Sequence, residues 1–292
     1  MRLETDMPVP RNVYLFLAVG LISASQSGNI VRLGEAHPLA IATWRLGIAA
    51  LLMLPLAGRR LILLRGLSKV EYLLLGMSGL ALGAHFFFFI GAVQNTTIAN
   101  ATIFFSLNPV ITVTAAYFIF GERFNVNLFL AIALGLAGVI FLGGNDLSLK
   151  PEHLMGDALA ILCTFFFSAY LLLGRRLRET LPNMVYVSAV YGVAAIFGFI
   201  CLIFLDLPLI EYNGITWTCF LLMALIPTML GHSSYNHALR YIGAGRISTA
   251  TLSEPLLAGI VAFFAWGELI TWAVFIGYML ICASVLVLVR DL

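Results

Sequence analysis

Apolar runs about twenty residues long, separated by short polar breaks, fill nearly the whole chain. Ten can be read, at about 12–31, 38–57, 71–94, 98–120, 126–142, 155–173, 184–205, 214–239, 246–266 and 270–289. Turn-forming sequences such as Gly34-Glu35-Ala36-His37-Pro38 and Gly143-Gly144-Asn145-Asp146 punctuate them. The runs at 128–142 and 273–289 are continuous and do not alternate apolar with polar, which predicts helices and not barrel strands. A helix of about 20 residues crosses the hydrocarbon of a bilayer, and lipid requires every backbone polar group to be paired within the span. The pattern predicts an all-α, polytopic membrane protein with ten transmembrane helices.

Two of these segments carry the same signature. Asn108-Pro109 is followed by eleven mostly apolar residues and then Gly121-Glu122; Glu254-Pro255 is followed by eleven and then Gly267-Glu268. The offset is 146 residues in a chain of 292. At the same offset Phe129 falls on Phe275, Ala137 on Ala283, Val139 on Val285, Ala49 on Ala195 and Ala92 on Ala238. An internal repeat is expected, with five helices in 1–146 and five in 147–292. The segment at 13–22, followed by Ser23-Ala24-Ser25, has the look of a signal-peptide core, but the repeat needs it as the partner of 157–173.

Composition agrees: 61% of residues are hydrophobic and 10% charged, against about 25% charged in soluble domains. The net charge of +2 and the absence of a basic stripe leave no expected nucleic-acid partner. Charge distribution says more. With the N-terminus inside, Arg2, Arg11, Arg59, Arg60, Arg65, Lys69, Arg123, Arg175, Arg176, Arg178, Arg240, Arg246 and Arg290 fall inside, and Arg32 and Lys150 outside. That tally of 13 against 2 places both termini in the cytoplasm. Five helices per half is an odd number, so the second half would enter from the opposite face. Inverted repeats of this kind are characteristic of transporters.

On these residues the chain resembles the drug/metabolite transporter superfamily, EamA-type branch. The match rests on ten helices in two inverted fives, on Pro…Gly-Glu in helices 4 and 9, and on Thr43-Trp44-Arg45-Leu46-Gly47-Ile48-Ala49-Ala50 in helix 2. In the second half Tyr191 stands where Arg45 stands in the first. The resemblance implies a multi-pass protein of the bacterial inner membrane, a monomer or weak homodimer, that exports small metabolites. Amino acids are favoured, aromatic ones first, by analogy with that branch's bacterial exporters; drugs or nucleotide sugars are the alternative.

Polar residues inside spans mark candidate chemistry, because lipid makes them costly. Glu254, about eight residues into helix 9, could hold a substrate ammonium or couple to protons, or it could be a structural carboxylate. Asn108, in the same position before its proline, could bond a solute or pack as an amide. In helix 8, Thr228, His232, Tyr235 and Leu239 share a stripe, and His232 and Tyr235 are the lining candidates. His237 lies about 140° from His232 around the helix, so the two do not make a metal-ligand face. Helix 3 offers His85 with Phe89 and Ala92. Helix 1 carries Ser23, Ser25, Gln26, Ser27 and Asn29, with Ile22, Gln26 and Asn29 on one stripe, a polar wall opposite the aromatic wall of its repeat partner, helix 6, with Phe165, Phe166, Phe167, Ser168 and Tyr170. Trp44 completes the set. Arg45 could attract a carboxylate, snorkel or pair structurally. Helices 1, 3, 4, 6, 8 and 9 are expected to surround the cavity, and 5 and 10, nearly free of polar residues, to pack peripherally. Gly79 and Gly83 predict a close helix contact.

The four cysteines all sit in apolar runs and read as small buried residues, with no disulfide or metal site expected. No paired carboxylates or nucleophile–base set suggests an enzyme. No Gly-x-x-x-x-Gly-Lys loop suggests ATP. No cofactor is expected.

Overall fold

The computed structural model describes residues 9–96, 98–122, 125–143, 150–267 and 271–290. Among them ten helices are long and apolar enough to cross a membrane. They are α1 (Arg11–Val31), α2 (Pro38–Gly66), α3 (Lys69–Asn95), α4 (Asn100–Phe120), α5 (Val126–Gly143), α6 (Pro151–Leu177), α7 (Asn183–Phe204), α8 (Gly214–Ala238), α9 (Ala244–Trp266) and α10 (Trp272–Val289). No strand occurs among the described residues. Phe118, Phe204 and Phe264 stand exposed on the outside of the bundle, a surface that a bilayer covers. The chain is an all-α, multi-pass membrane protein, as its apolar pattern predicts.

Local chemistry sets the helix ends. At the start of α3, Ser68 N–H donates to Glu71 Oε2 at 2.8 Å and Glu71 N–H donates to Ser68 Oγ at 3.2 Å. This reciprocal cap starts α3 ahead of the apolar run. The tail of α2, Gly58–Gly66, is a 3-10 helix with no buried residue, which the apolar reading placed outside the span. α4 and α9 both end on a left-handed glycine, Gly121 at φ +67° and Gly267 at φ +68°. Each follows a 13-residue helical segment that begins at the residue before the proline. A left-handed backbone costs glycine nothing, which explains the glycine of each Gly-Glu pair. Glu268, Arg2, Arg123 and the break around Asp146 lie outside the described residues.

The helix pairings share one symmetry. α2 packs on α7, α5 on α10 and α4 on α9, while α1 packs on α8 as α6 packs on α3. Advancing every helix by five maps this set of pairs onto itself. The α3–α7 contact is close at Gly79, where an added Cβ would lie 2.7 Å from Val193 Cγ1 and 3.0 Å from the Val190 carbonyl. Gly83 faces Ala194, so the glycine pair does mark a close helix contact. One turn away, Gly76 would meet nothing within 4 Å. Gly79→Val is therefore expected to destabilise the protein by about 1–3 kcal/mol through overpacking, and Gly76→Val to leave its melting temperature nearly unchanged. Equal melting of the two variants in detergent would refute this packing.

The cysteines divide. Cys163 and Cys219 are buried, Cys201 is half-buried and Cys282 is exposed. The expectation of burial fails at Cys282, because the outer half of a span is itself apolar.

Candidate functional site

α4 and α9 are both broken helices. α4 is interrupted at Ser106 and Leu107, between helical segments Ile98–Phe105 and Asn108–Phe120. α9 is interrupted by a 3-10 turn, Thr251–Ser253, before Glu254–Trp266. Proline lacks an N–H and cannot continue the ladder, so the break falls just ahead of Pro109 and Pro255. Local side chains bond the carbonyls beside each break. Asn108 Nδ2 donates to Phe105 O at 3.0 Å and Ser106 Oγ to Thr102 O at 2.7 Å. In α9, Ser253 Oγ donates to Ala250 O at 2.8 Å and Thr251 Oγ1 to Ser248 O at 2.7 Å. The breaks also meet each other: Ser248 Oγ donates to Asn108 Oδ1, and Asn108 Nδ2 lies 3.3 Å from Thr251 Oγ1.

Two adjoining spaces, with walls that share residues, open beside this crossing. The inner one is a recess of about 50 Å³ lined by residues that include Arg45, His85, Phe86, His232, Tyr235 and Glu254. The outer one is a chamber of about 600 Å³, within the range of small-molecule sites. Ser25, Phe89, Phe105 and Glu254 line both. Glu254 is thus at the junction, half-buried, with its Oε1 accepting a hydrogen bond from Tyr235 Oη at 2.8 Å.

The recess is aromatic on most sides. The His85 ring centroid lies 4.8 Å from Phe167 and 5.8 Å from His232, and His232 meets Phe86 edge-on at 4.8 Å. His85 Nδ1 is 3.1 Å from Cys163 Sγ and 3.3 Å from Cys163 O, which fixes its ring. His232 belongs to a π-helical stretch of α8, Ala224–His232, built around Pro227. Such wide turns often sit at functional sites. Here Thr228 Oγ1 donates back to Met223 O at 2.8 Å and accepts from Arg45 Nε at 2.9 Å. Tyr191, the repeat partner of Arg45, donates to the Thr228 carbonyl at 3.1 Å. The two unlike residues of the repeat therefore converge on one threonine.

The chamber reaches Arg32, Gly143 and Thr271, at the end of the bundle where α1 and α5 finish and α10 begins. The opposite end is packed. Arg178 is buried and donates to Asn236 O at 2.8 Å and to Leu181 O. Arg175 Nη1 donates to Leu239 O at 2.6 Å, and Glu122 Oε1 accepts from Ala244 N at 3.3 Å. These contacts tie the α8–α9 connection to the ends of α6 and α4. One end of the site is open and the other is shut.

A broken-helix pair at the bundle centre, beside a chamber closed at one end, is an arrangement of membrane carriers. The family model for EamA-like transporters matches residues 11–144 and matches again over 154–290. The chain belongs to the EamA-like transporter family. Among its relatives, the uncharacterized transporter YyaM of Bacillus subtilis is 26% identical over 290 residues, covering 94% of this chain and 92% of its own. An uncharacterized transporter of Archaeoglobus fulgidus is 25% identical, covering 70% of this chain and 71% of its own. A solved crystal structure shares the fold at a TM-score of 0.78 and 20% identity, over 96% of this chain and 98% of its own. The double match of the family model agrees with the pairing symmetry of the helices.

In this EamA-like transporter the structure gathers His85, Phe89, His232, Tyr235 and Glu254 around the recess, and puts Asn108 on the chamber wall. Other sequence candidates lie elsewhere. Phe165 is 53% exposed on the outer side of α6, and Phe167 is the ring turned inward. Trp44 lies in an aromatic cluster with Phe199 and Trp217 and donates to Leu209 O at 2.7 Å, away from both spaces. Tyr170 is fully buried behind His232 and accepts from Asn236 Nδ2. Gln26 sits at a kink in α1, where its Oε1 accepts from Asn29 at 3.0 Å and its Nε2 reaches Leu257 O at 3.5 Å. That kink also breaks the expected stripe, leaving Ile22 exposed and turning Ser25 and Asn29 to the chamber. The expectation that α5 and α10 pack peripherally is overturned. Val139, Leu142, Val274 and Tyr278 wall the chamber, because an apolar wall needs no polar residue to mark it. Arg45, offered with three roles, lines the recess.

Proposed function

We propose that this chain is a secondary transporter that exports amino acids, aromatic ones first, by alternating access around the recess at Glu254. The observation that carries the reading is Glu254 itself, the one carboxylate lining recess or chamber among the described residues. Phe89 and Phe105 line both spaces with it. A carboxylate in an aromatic-walled space suits an ammonium attached to an apolar side chain. A solute bearing several phosphates would want more cations than Arg45 of the recess and Arg32 of the chamber, the two arginines that line these spaces among the described residues.

The rest of the reading follows from the halves. Residues 1–146 and 147–292 are taken as inverted five-helix repeats, set in a bacterial cytoplasmic membrane with both termini inside. The charge tally supports that orientation. It makes the chamber outward-facing and the Arg175–Arg178 end cytoplasmic. Conversion to the inward-facing shape would exchange the conformations of the two halves. The protein changes no bond in its solute and works as a monomer or weak homodimer. A proton carried by Glu254 is the proposed coupling.

The test is counterflow in proteoliposomes loaded with unlabelled phenylalanine, with and without a pH gradient. Labelled phenylalanine should accumulate, unchanged, faster than alanine, and the gradient should drive it. Chemically altered product would make the protein an enzyme. Uptake of nucleotide sugars in place of amino acids would overturn the solute class.

A further inference from the structure

Arg45 is among the largest fully buried side chains of the described residues, with no exposed surface. Its guanidinium is held on two sides. Nε donates to Thr228 Oγ1 at 2.9 Å, and the guanidinium carbon lies 3.6 Å from the centre of the Phe86 ring. Those contacts orient the group, yet Nη1 and Nη2 are buried without a hydrogen-bond acceptor. No ion pair joins Arg45 to Glu254 or to another acid among the described residues. A guanidinium stays charged in proteins, and burying it unpaired is costly. Folding alone would favour a neutral residue there. Tyr191, at the repeat-equivalent position, shows that a neutral side chain can reach the same threonine.

We infer that the Nη edge of Arg45 is the receptor for a solute carboxylate, bound in the recess that Glu254 also lines. Two coplanar donors match a carboxylate's two oxygens, and a ring stacked on the fork's face prevents it from turning away. The recess then has a cation for one end of an α-amino acid and a carboxylate for the other, with Phe89 and Phe105 beside the path to the chamber. The inference rests on the recess being the solute site, as proposed above, and adds which pole of the solute enters deepest. The small recess volume of about 50 Å³ fits the polar head, while an aromatic side chain lies toward the chamber.

Three probes separate the ends: phenylalanine, 3-phenylpropionate without the amine, and phenethylamine without the carboxylate. Binding is read as the ligand-dependent rise in melting temperature of the purified full chain. For the wild type, phenethylamine should bind at least tenfold more weakly than phenylalanine, and 3-phenylpropionate should bind measurably. Arg45→Gln and Arg45→Lys should each lose at least tenfold for both carboxylates and keep their affinity for phenethylamine. Should Arg45→Gln fail to fold, the lysine variant, which retains charge without the fork, and the wild-type series carry the test. The inference is overturned if no carboxylate stabilises the wild type, if phenethylamine matches phenylalanine, or if a folded Arg45 variant binds carboxylates as the wild type does. If 3-phenylpropionate binds through Arg45 while phenylalanine neither binds nor moves, the receptor stands and the amino-acid reading falls.

Discussion

Replacing Glu254 by glutamine is expected to leave the bundle folded and to reduce transport about a hundredfold. Glutamine keeps the shape and still accepts the bond from Tyr235 Oη, now 2.8 Å from Glu254 Oε1. Its amide is neutral, so the cost to stability should stay near the ~1 kcal/mol of an ordinary hydrogen bond. What is lost is a charge at the junction of recess and chamber. A charge-assisted bond to an ammonium contributes about 1.5–3 kcal/mol, and each ~1.4 kcal/mol is a tenfold change in binding. The form of the loss separates two roles. If Glu254 only carries a proton, the variant loses its response to a pH gradient and retains solute exchange. If it binds the ammonium, exchange weakens too, most for amino acids and least for analogues without the amine. Wild-type rates with a wild-type pH response would assign Glu254 to the packing of the α9 break, and Phe89 and Asn108 would be the next residues to test.

Which residues the sequence marks, and which it leaves unmarked, follows from the solvent. Lipid forces long apolar runs, so ten spans stand out, and scarce prolines and glutamates make the repeat visible. Polar residues inside such runs stand out equally, which is why His85, His232, Tyr235 and Glu254 could be picked before their neighbours were known. Aromatic residues carry no such mark. Phe165 and Phe167 differ by two positions, or about 200° around a helix, and composition alone cannot choose which faces inward. Trp44 sits next to Arg45 and points to a different neighbourhood, fixed by its bond to Leu209 O. The π-helical turn at Pro227 shifts the register that a 3.6-residue stripe assumes, and with it the partner of Arg45. α5 and α10 join the chamber with mostly apolar side chains such as Val139, Leu142 and Val274, which periodicity cannot tell from lipid-facing ones.

The same offset of 146 residues relates one more pair. Arg32 and Arg178 are 146 positions apart, and in the structure they occupy opposite ends of the site in unlike settings. Arg178 is buried in the shut end, bonded to Asn236 O and Leu181 O. Arg32 lines the open chamber, its guanidinium 5.5 Å from the centre of the Trp266 ring. If the halves exchange conformations, each arginine should clamp its own end in the state where that end is shut. Arg178→Ala leaves buried carbonyls unpaired only when its end is closed, at about 1–3 kcal/mol each. The two carbonyls together move a two-state equilibrium about tenfold or more. The variant should therefore populate the inward-open shape, and Arg32→Ala should do the reverse. In a background without native cysteines, Ala238→Cys reports on the shut end, where Ala238 has no exposed surface, and Ala258→Cys reports on the chamber. With an impermeant maleimide, Arg178→Ala should speed cytoplasmic labelling at position 238 about tenfold and slow outside labelling at 258. Arg32→Ala should leave 258 reactive and 238 protected. Labelling at 238 from the outside would reverse the orientation drawn from the charge tally. Identical labelling in both variants would mean that the two arginines brace the fold and do not select its state.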